Sequence, residues 1–149
     1  MIPKTIDDVS AAWLSDVLEI PINTIAAEQI GQGVGLMGDI YRVKLSPRPE
    51  NFPASVVVKL PSSFEENRAQ GVALGMFDAE VRFYRELAPA ANIGLPVVYY
   101  ADITTGTADF VIVMEDLADL AMVDQATGMS LEQAEAAVKV LASIHAVWW

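Results

Sequence analysis

The stretch 33-GVGLMGDIYRVKL-45 decides the fold of this chain, because its glycines are compatible with two unrelated structures. Gly33, Gly35 and Gly38 follow the pattern G-x-G-x-x-G, which lets a backbone approach a phosphate closely. In one structure the loop leads from a strand into a helix, whose N-terminal amides hold a pyrophosphate. In the other, the loop is the tip of a hairpin between two strands. The residues that flank the glycines distinguish the two.

The residues on both sides of the glycines have the pattern of strands. In residues 40–45 every second side chain, at Tyr41, Val43 and Leu45, is apolar, and a period of two predicts a β-strand. Upstream, 22-INTIAAEQI-30 contains β-branched residues and no helical stripe. The sequence therefore predicts strand, glycine tip, strand. A glycine-rich hairpin that binds no ligand is an alternative that the loop alone leaves open.

Composition limits the class of protein. The chain has 149 residues, 53% of them hydrophobic, which suits one globular domain. Its formal charge of −11 argues against binding to nucleic acid or an anionic membrane. No apolar run approaches the ~20 residues that span a bilayer, and no signal peptide is evident, so we expect a cytoplasmic protein. With no cysteine and one histidine, we predict no metal site from these residue types.

Hydrophobic periodicity and the positions of capping residues and prolines predict an α+β domain. The elements are a helix capped by Thr5 and ended by Pro21, strands at 22–30, 40–45 and 55–61, a helical region over 65–88, strands at 95–103 and 109–117, and a helix over 130–149. This order suits an antiparallel sheet of about five strands with a helix packed on it.

Lys59 is a charged residue in the most apolar strand of the chain, 55-SVVVKLP-61. Burying an ammonium group costs on the order of several kcal/mol unless an anion lies beside it. If this strand is central, Lys59 therefore requires a carboxylate or another anion. The alternative is an edge strand, whose lysine reaches solvent.

Glu80 could supply that carboxylate. The helical segment 77-FDAEVRFYREL-87 has an apolar arc made of Phe77, Val81, Tyr84 and Leu87. Glu80 falls inside this arc, and the positions three and four residues after it hold Phe83 and Tyr84, so its own helix offers no cation there. We therefore predict an ion pair between Lys59 and Glu80.

These features together resemble a known group of enzymes. The glycine loop, 56-VVVK-59 and Glu80 occur in the order found in the nucleotide lobe of kinases. Four further segments are similar to small-molecule kinases of the aminoglycoside phosphotransferase and ecdysteroid kinase-like group, namely 80-EVRFYREL-87, 111-VIVMEDL-117, Asp124-Gln125 and 140-VLASIHAVWW-149. The resemblance implies a protein kinase-like N-terminal lobe over residues 1–114, a hinge over 115–129, and the first helix of a C-terminal lobe over 130–149.

The resemblance also implies a reaction and a site. ATP would donate its γ-phosphate, with Mg²⁺, to a hydroxyl group of a small-molecule alcohol. Lys59 and Glu80 would form the catalytic pair, with Lys59 on the α- and β-phosphates. The nucleotide-binding residues would be Gly33, Gly35, Gly38, Ile40 and Lys59, with Glu115 and Leu117 at the hinge, where the backbone meets adenine.

Three further expectations concern the end of the chain. The family's catalytic aspartate and metal ligands come after the last helix, so we expect no phosphate transfer by this polypeptide alone. The apolar face of that helix, with Val138, Leu141 and Trp148, predicts a homodimer through this surface. His145 is expected to be a packed or capped histidine. The competing interpretations are a non-catalytic kinase-like binding module and a plain α+β domain.

Overall fold

A single antiparallel sheet organises the protein in the computed structural model, which describes residues 1–31, 37–48, 50–91, 93–121, 123–124 and 126–148. The five strands lie in the order β1-β2-β3-β5-β4, and every neighbouring pair is antiparallel. The strands are β1 (Thr24–Ile30), β2 (Gly38–Ser46), β3 (Ser55–Pro61), β4 (Val98–Ile103) and β5 (Phe110–Glu115). The helices are α1 (Ala11–Leu18), α2 (Glu65–Ala73), α3 (Met76–Arg82) and α4 (Leu131–Trp148). The predicted α+β architecture is confirmed.

The hairpin prediction for the glycine loop is confirmed by the strands that flank it. β2 pairs with β1 along the whole length of β1, from Thr24 opposite Ser46 to Ile30 opposite Ile40. Gly38 is already the first residue of β2, so the chain enters a strand and not a helix after the glycines. Gly33 and Gly35 lie outside the described residues.

β3 is the central strand, with β2 on one side and β5 on the other. Its edge-strand alternative is therefore excluded. The side chains of Val56, Val58 and Leu60 point to one face and are at most 1% exposed. Val57 and Lys59 point to the opposite face and are only partly buried.

Helices cover both faces of the sheet. On the first face, Leu14 of α1 is fully buried in a core that it shares with Val43, Val56, Val58, Val111 and Val113. On the second face, Phe77 and Val81 of α3 pack against Phe110 and Ile112 of β5. The rings of Phe77 and Phe110 stack with their centres 4.7 Å apart. The alternating side chains of β5 thus join two cores.

The N-terminal helix differs from its prediction. Thr5 and Asp8 form a capping box on a short 3₁₀ turn, Ile6–Asp8, and not on the α-helix. α1 begins later, where Ser10 Oγ accepts a hydrogen bond of 3.1 Å from the Trp13 amide. Val9 lies between the two elements in an extended conformation and is 4% exposed. The prediction of one continuous helix was wrong because Val9 leaves the helical path to enter the core.

The predicted helical region over 65–88 is interrupted and changes pitch. Gly75, with a φ of +64°, separates α2 from α3. After α3 the chain continues as a π-helical turn, Phe83–Leu87. A π turn is wider than an α turn, so it rotates the residues that follow. As a result Leu87 is 41% exposed, and its predicted place on the apolar arc was wrong.

α4 begins with the predicted capping box. The Ser130 amide donates to Gln133 Oε1 at 2.8 Å, and the Gln133 amide donates to Ser130 Oγ at 3.2 Å. Large apolar side chains of α4 are exposed, namely Leu131, Val138, Val140, Leu141 and Val147. His145 is also exposed, so of the two alternatives expected for it, packed or capped, the packed one was wrong and the capped one stays a prediction. The side chain of Trp148 and all of Trp149 lie outside the described residues.

Candidate functional site

The structure brings Lys59 and Glu80 together. Lys59 Nζ lies 2.6 Å from Glu80 Oε1 and 2.7 Å from Oε2, so one ammonium meets both oxygens of the carboxylate. The two side chains are 21% and 29% exposed. The expected pairing is therefore present, at a surface that solvent or a ligand can reach.

The position of Glu80 depends on how α3 is held. Phe77 and Val81, on either side of Glu80, are buried on β5. The carboxylate of Asp78 accepts hydrogen bonds of 3.1 and 3.4 Å from the Gly106 amide, in the turn between β4 and β5. Because α3 is anchored at both its apolar and its polar side, Glu80 is directed toward β3.

Gly38 lies against the stem of Lys59. A β-carbon at Gly38 would be 3.1 Å from Lys59 Cε and 2.9 Å from the Leu60 carbonyl oxygen. The second distance is shorter than real β-carbons show, and the oxygen belongs to the backbone, which cannot easily move. The absence of a side chain at Gly38 therefore lets Lys59 extend toward Glu80. Sequence reasoning attributed this glycine only to the approach of phosphate.

The side chains beside Lys59 form two rows across the sheet. In the first row, Ile40 lies opposite Lys59, and Lys59 lies opposite Ile112. In the second row, Arg42 lies opposite Val57, and Val57 lies opposite Met114. The face of the sheet that carries the ion pair is thus apolar beside Lys59, and Arg42 is the charged side chain of the second row.

The chain leaves β5 through the predicted hinge. The Glu115 amide donates to the Val97 carbonyl at 2.8 Å, and the Val97 amide donates to Glu115 Oε2 at 3.0 Å. The Glu115 side chain therefore joins β5 to the residue before β4. Leu117 is 39% exposed, and its carbonyl accepts a hydrogen bond of 3.0 Å from the Leu120 amide. A nucleotide-binding role for Glu115 and Leu117 stays a prediction.

Asp116, between these two residues, has partners that sequence reasoning missed. Its Oδ2 accepts hydrogen bonds of 2.7 Å from Arg42 Nε and 2.7 Å from Ser55 Oγ. Its Oδ1 accepts from Arg42 Nη2 at 3.2 Å and from the Ala118 amide at 3.2 Å. The hydrogen bonds from Arg42, helped by those from Ser55 and Ala118, hold the pKa of Asp116 below its usual value, although burial acts to raise it. The only feature of the sequence that pointed to this contact was Arg42, which shares a face of β2 with Ile40.

Asp124 serves a local turn. Its Oδ1 accepts hydrogen bonds of 2.9 Å from the amides of both Ala126 and Thr127. The Thr127 amide and hydroxyl and the Ala126 amide lower the pKa of this carboxyl, which is fully exposed. Its neighbour Gln125 lies outside the described residues.

The described part of the chain contains neither a cluster of metal-binding side chains nor a membrane-spanning helix. Within it, no three histidine, cysteine, aspartate or glutamate side chains are grouped so as to hold a metal ion. Its helices also include none with the length and apolar character that crossing a membrane requires.

The fold and this geometry define a class of protein. A five-stranded antiparallel sheet, a central-strand lysine paired with a helix glutamate, and a glycine hairpin beside them make up the N-terminal lobe of a kinase-like fold. A family model described as the ecdysteroid kinase-like family matches residues 32–148, and the chain belongs to that family. No curated protein and no solved structure matched the chain. Membership makes it a kinase-like protein of the small-molecule phosphotransferase class, while the link to aminoglycoside phosphotransferases stays a prediction.

Proposed function

We propose that this chain is the ATP-binding lobe of an enzyme that transfers the γ-phosphate of ATP to a hydroxyl group of a small molecule. The observation that carries the proposal is the ion pair between Lys59, on the central strand, and Glu80, on α3. In kinases a lysine and a glutamate in these places orient the phosphates of the nucleotide.

The environment of the pair supports binding over a purely structural role. An ammonium group has three N–H donors. Both carboxylate oxygens of Glu80 accept from Lys59 Nζ, at 2.6 and 2.7 Å. Apolar residues of similar volume often stabilise a fold as well as an internal ion pair does. A pair that is about a quarter exposed on an apolar strand face is therefore better explained by an anion that binds beside it.

The surrounding residues fit a nucleotide. Lys59 would offset charge on the α- and β-phosphates, while Glu80 keeps the ammonium in place. Gly38 and Ile40, at the start of β2, lie next to Lys59 and would border the phosphates. At the other end, the backbone of Glu115 and Leu117 would meet the base. When bound, ATP with Mg²⁺ supplies the phosphoryl group.

The rest of the reaction is assigned to residues after this lobe. We propose that the catalytic aspartate and the Mg²⁺ ligands belong to a C-terminal lobe, with residues 115–129 as the hinge and α4 as that lobe's first helix. The acceptor is a hydroxyl-bearing small molecule, and a cytoplasmic location fits a supply of ATP. A non-catalytic kinase-like module is the competing function.

Titration calorimetry with MgATP tests this proposal. We expect Lys59→Ala to weaken ATP binding by on the order of tenfold or more, because a direct charge contact to phosphate is lost. Glu80→Gln should weaken binding less, because the ammonium remains but is less well oriented. Lys44→Ala, an exposed lysine of β2, is the matched control and should bind as the unaltered chain does.

The outcomes separate the candidate functions. Equal ATP affinity in Lys59→Ala and the unaltered chain would contradict the proposed site. Absence of ATP binding by the unaltered chain would favour the non-catalytic module. Phosphate transfer to an alcohol by the pure 149-residue chain would contradict the assignment of the catalytic groups to a further lobe.

A further inference from the structure

Arg42, Ser55 and Asp116 form a compact polar cluster at the end of β5, here called the hinge cluster. Arg42 comes from β2, Ser55 begins β3, and Asp116 follows β5, so three strands meet at one carboxylate. The Asp116 side chain is 8% exposed and that of Arg42 is 28% exposed. The cluster is therefore largely shielded from solvent, unlike an ordinary surface ion pair.

The carboxylate of Asp116 has four donors around it. Arg42 contributes Nε at 2.7 Å and Nη2 at 3.2 Å, Ser55 contributes its hydroxyl at 2.7 Å, and Ala118 contributes its amide at 3.2 Å. The first three donors tie the carboxylate to the sheet. The fourth ties the chain two residues later to the same carboxylate. The backbone between Asp116 and Ala118 is thereby held at a defined angle to β2 and β3.

The location of the cluster matters for the proposed function. Arg42 is in the row that continues through Val57 and Met114, next to the row that contains Lys59. Asp116 lies between Glu115 and Leu117, the two residues whose backbone we assign to the base. The Glu115 carboxylate is already used by the Val97 amide. Asp116 is thus a side chain of this segment that connects the hinge to β2 and β3, through Arg42 and Ser55.

We propose that Arg42, Ser55 and Asp116 are positioning residues that hold the hinge backbone in the geometry that recognises the base of the nucleotide. This inference rests on the proposed ATP-binding function and adds the residues responsible for base recognition. Arg42 is suited to the task because a guanidinium binds both oxygens of a carboxylate in one plane, which a lysine ammonium does not do.

The test compares two ligands that share only their phosphates. MgATP contacts both ends of the proposed site, while magnesium tripolyphosphate contacts the phosphate end alone. We expect Asp116→Ala and Arg42→Met each to weaken ATP binding on the order of tenfold, because a small displacement of hydrogen-bonding groups has a large effect. Tripolyphosphate binding should be unchanged in both variants. Lys59→Ala should instead weaken binding of both ligands.

Arg82→Met is the matched control. Arg82 contacts Glu86 through the same two nitrogens, each at 3.1 Å, but this pair joins the end of α3 to the π turn and is 68% and 53% exposed. Its replacement should change the affinity for neither ligand. If Asp116→Ala does not fold, Ser55→Ala provides the same comparison with a smaller effect, about two- to threefold, because it removes one of the hydrogen bonds.

Each remaining outcome is decisive. Unchanged ATP affinity in the cluster variants overturns the inference and leaves the proposed function intact. An equal loss for both ligands also overturns it, because the cluster would then act on the stability of the whole lobe. If the unaltered chain binds tripolyphosphate as tightly as ATP, the hinge does not recognise the base and the inference fails. If it binds neither ligand, the proposed function itself fails.

Discussion

At the scale of single residues, Lys59 shows how one side chain depends on its neighbours. Its stem passes over Gly38, and its ammonium ends between the two oxygens of Glu80. Val58 and Leu60, the residues before and after Lys59 in β3, point to the other face of the sheet and are buried in the core there. Lys59 can therefore take this position only because residue 38 has no side chain and residue 80 has a carboxylate.

Gly38→Ala should disturb this arrangement. The added methyl group would meet Lys59 Cε at 3.1 Å and the Leu60 carbonyl oxygen at 2.9 Å. We expect a loss of stability of about 1–3 kcal/mol in urea denaturation, typical of overpacking, and weaker binding of magnesium tripolyphosphate. Gly94→Ala is the control, because a β-carbon there has nothing within 4 Å. Unchanged binding and stability in Gly38→Ala would contradict the contact.

At the scale of elements, the geometry of the site depends on how α2 and α3 pack together. Gly71 of α2 is buried beneath the ring of Phe77, which in turn stacks on Phe110 of β5. This contact determines how far α3 stands from the sheet. Since Glu80 is three residues after Phe77, a shift of the ring would also move the carboxylate that pairs with Lys59.

Gly71→Ala should therefore destabilise the protein, although alanine is the better helix former. Helix propensity alone would favour alanine by about 1 kcal/mol. The new β-carbon, however, would overlap Phe77 Cζ, so the ring or the helix must move. We expect a net loss of about 1–3 kcal/mol in urea denaturation, together with weaker ATP binding.

Ala69→Gly, at an exposed position of the same helix, is the control for propensity. It should destabilise the chain by about 1 kcal/mol or less, without changing ATP binding. A gain in stability in Gly71→Ala would show that propensity outweighs the contact with Phe77.

At the scale of the whole molecule, the pKa shifts make stability depend on pH in two directions. The pKa of Asp116 is lowered, chiefly by Arg42, so the unfolded chain binds this proton more readily than the folded chain does. The stabilisation is therefore present above the usual pKa of 3.8 and is lost as the pH falls through the lowered value. Burial raises the pKa of Tyr84 above 10.0, so its contribution is present below pH 10.0 and is lost at higher pH.

Asp116→Asn should flatten the acid limb of the stability profile. The variant lacks the carboxylate whose protonation destabilises the fold, so its free energy of unfolding should change less between pH 6 and pH 3 than that of the unaltered chain. Urea denaturation across this range measures the difference. Asp124→Asn removes an exposed carboxylate with a lowered pKa, and its change in unfolding free energy over the same pH range is compared with that of Asp116→Asn. Parallel profiles for Asp116→Asn and the unaltered chain would contradict the assigned shift.

The exposed apolar side chains of α4 also belong to this scale. Val138 is 63% exposed and Leu141 is 49% exposed, and we propose that this surface forms a homodimer. We expect Leu141→Glu to shift the mass in sedimentation equilibrium toward the monomer. Glu135→Lys, an exposed charge change on the same helix, should leave the mass unchanged. A monomeric mass for the unaltered chain at high concentration would contradict the proposed dimer.

The sequence by itself determined two kinds of feature. One is an element with a local repeating pattern, and the other is a contact that a charged side chain in an apolar strand requires. Alternation in residues 40–45 predicted a strand after the glycines, and Lys59 in an apolar strand required a counter-charge, which pointed to Glu80. Tertiary structure alone decided the hinge cluster, because Asp116 lies 74 residues from Arg42 and 61 from Ser55. It also decided the exposure of Leu87, which follows a π turn. Local periodicity reports which way a side chain faces, whereas the partner it meets depends on how distant strands are aligned.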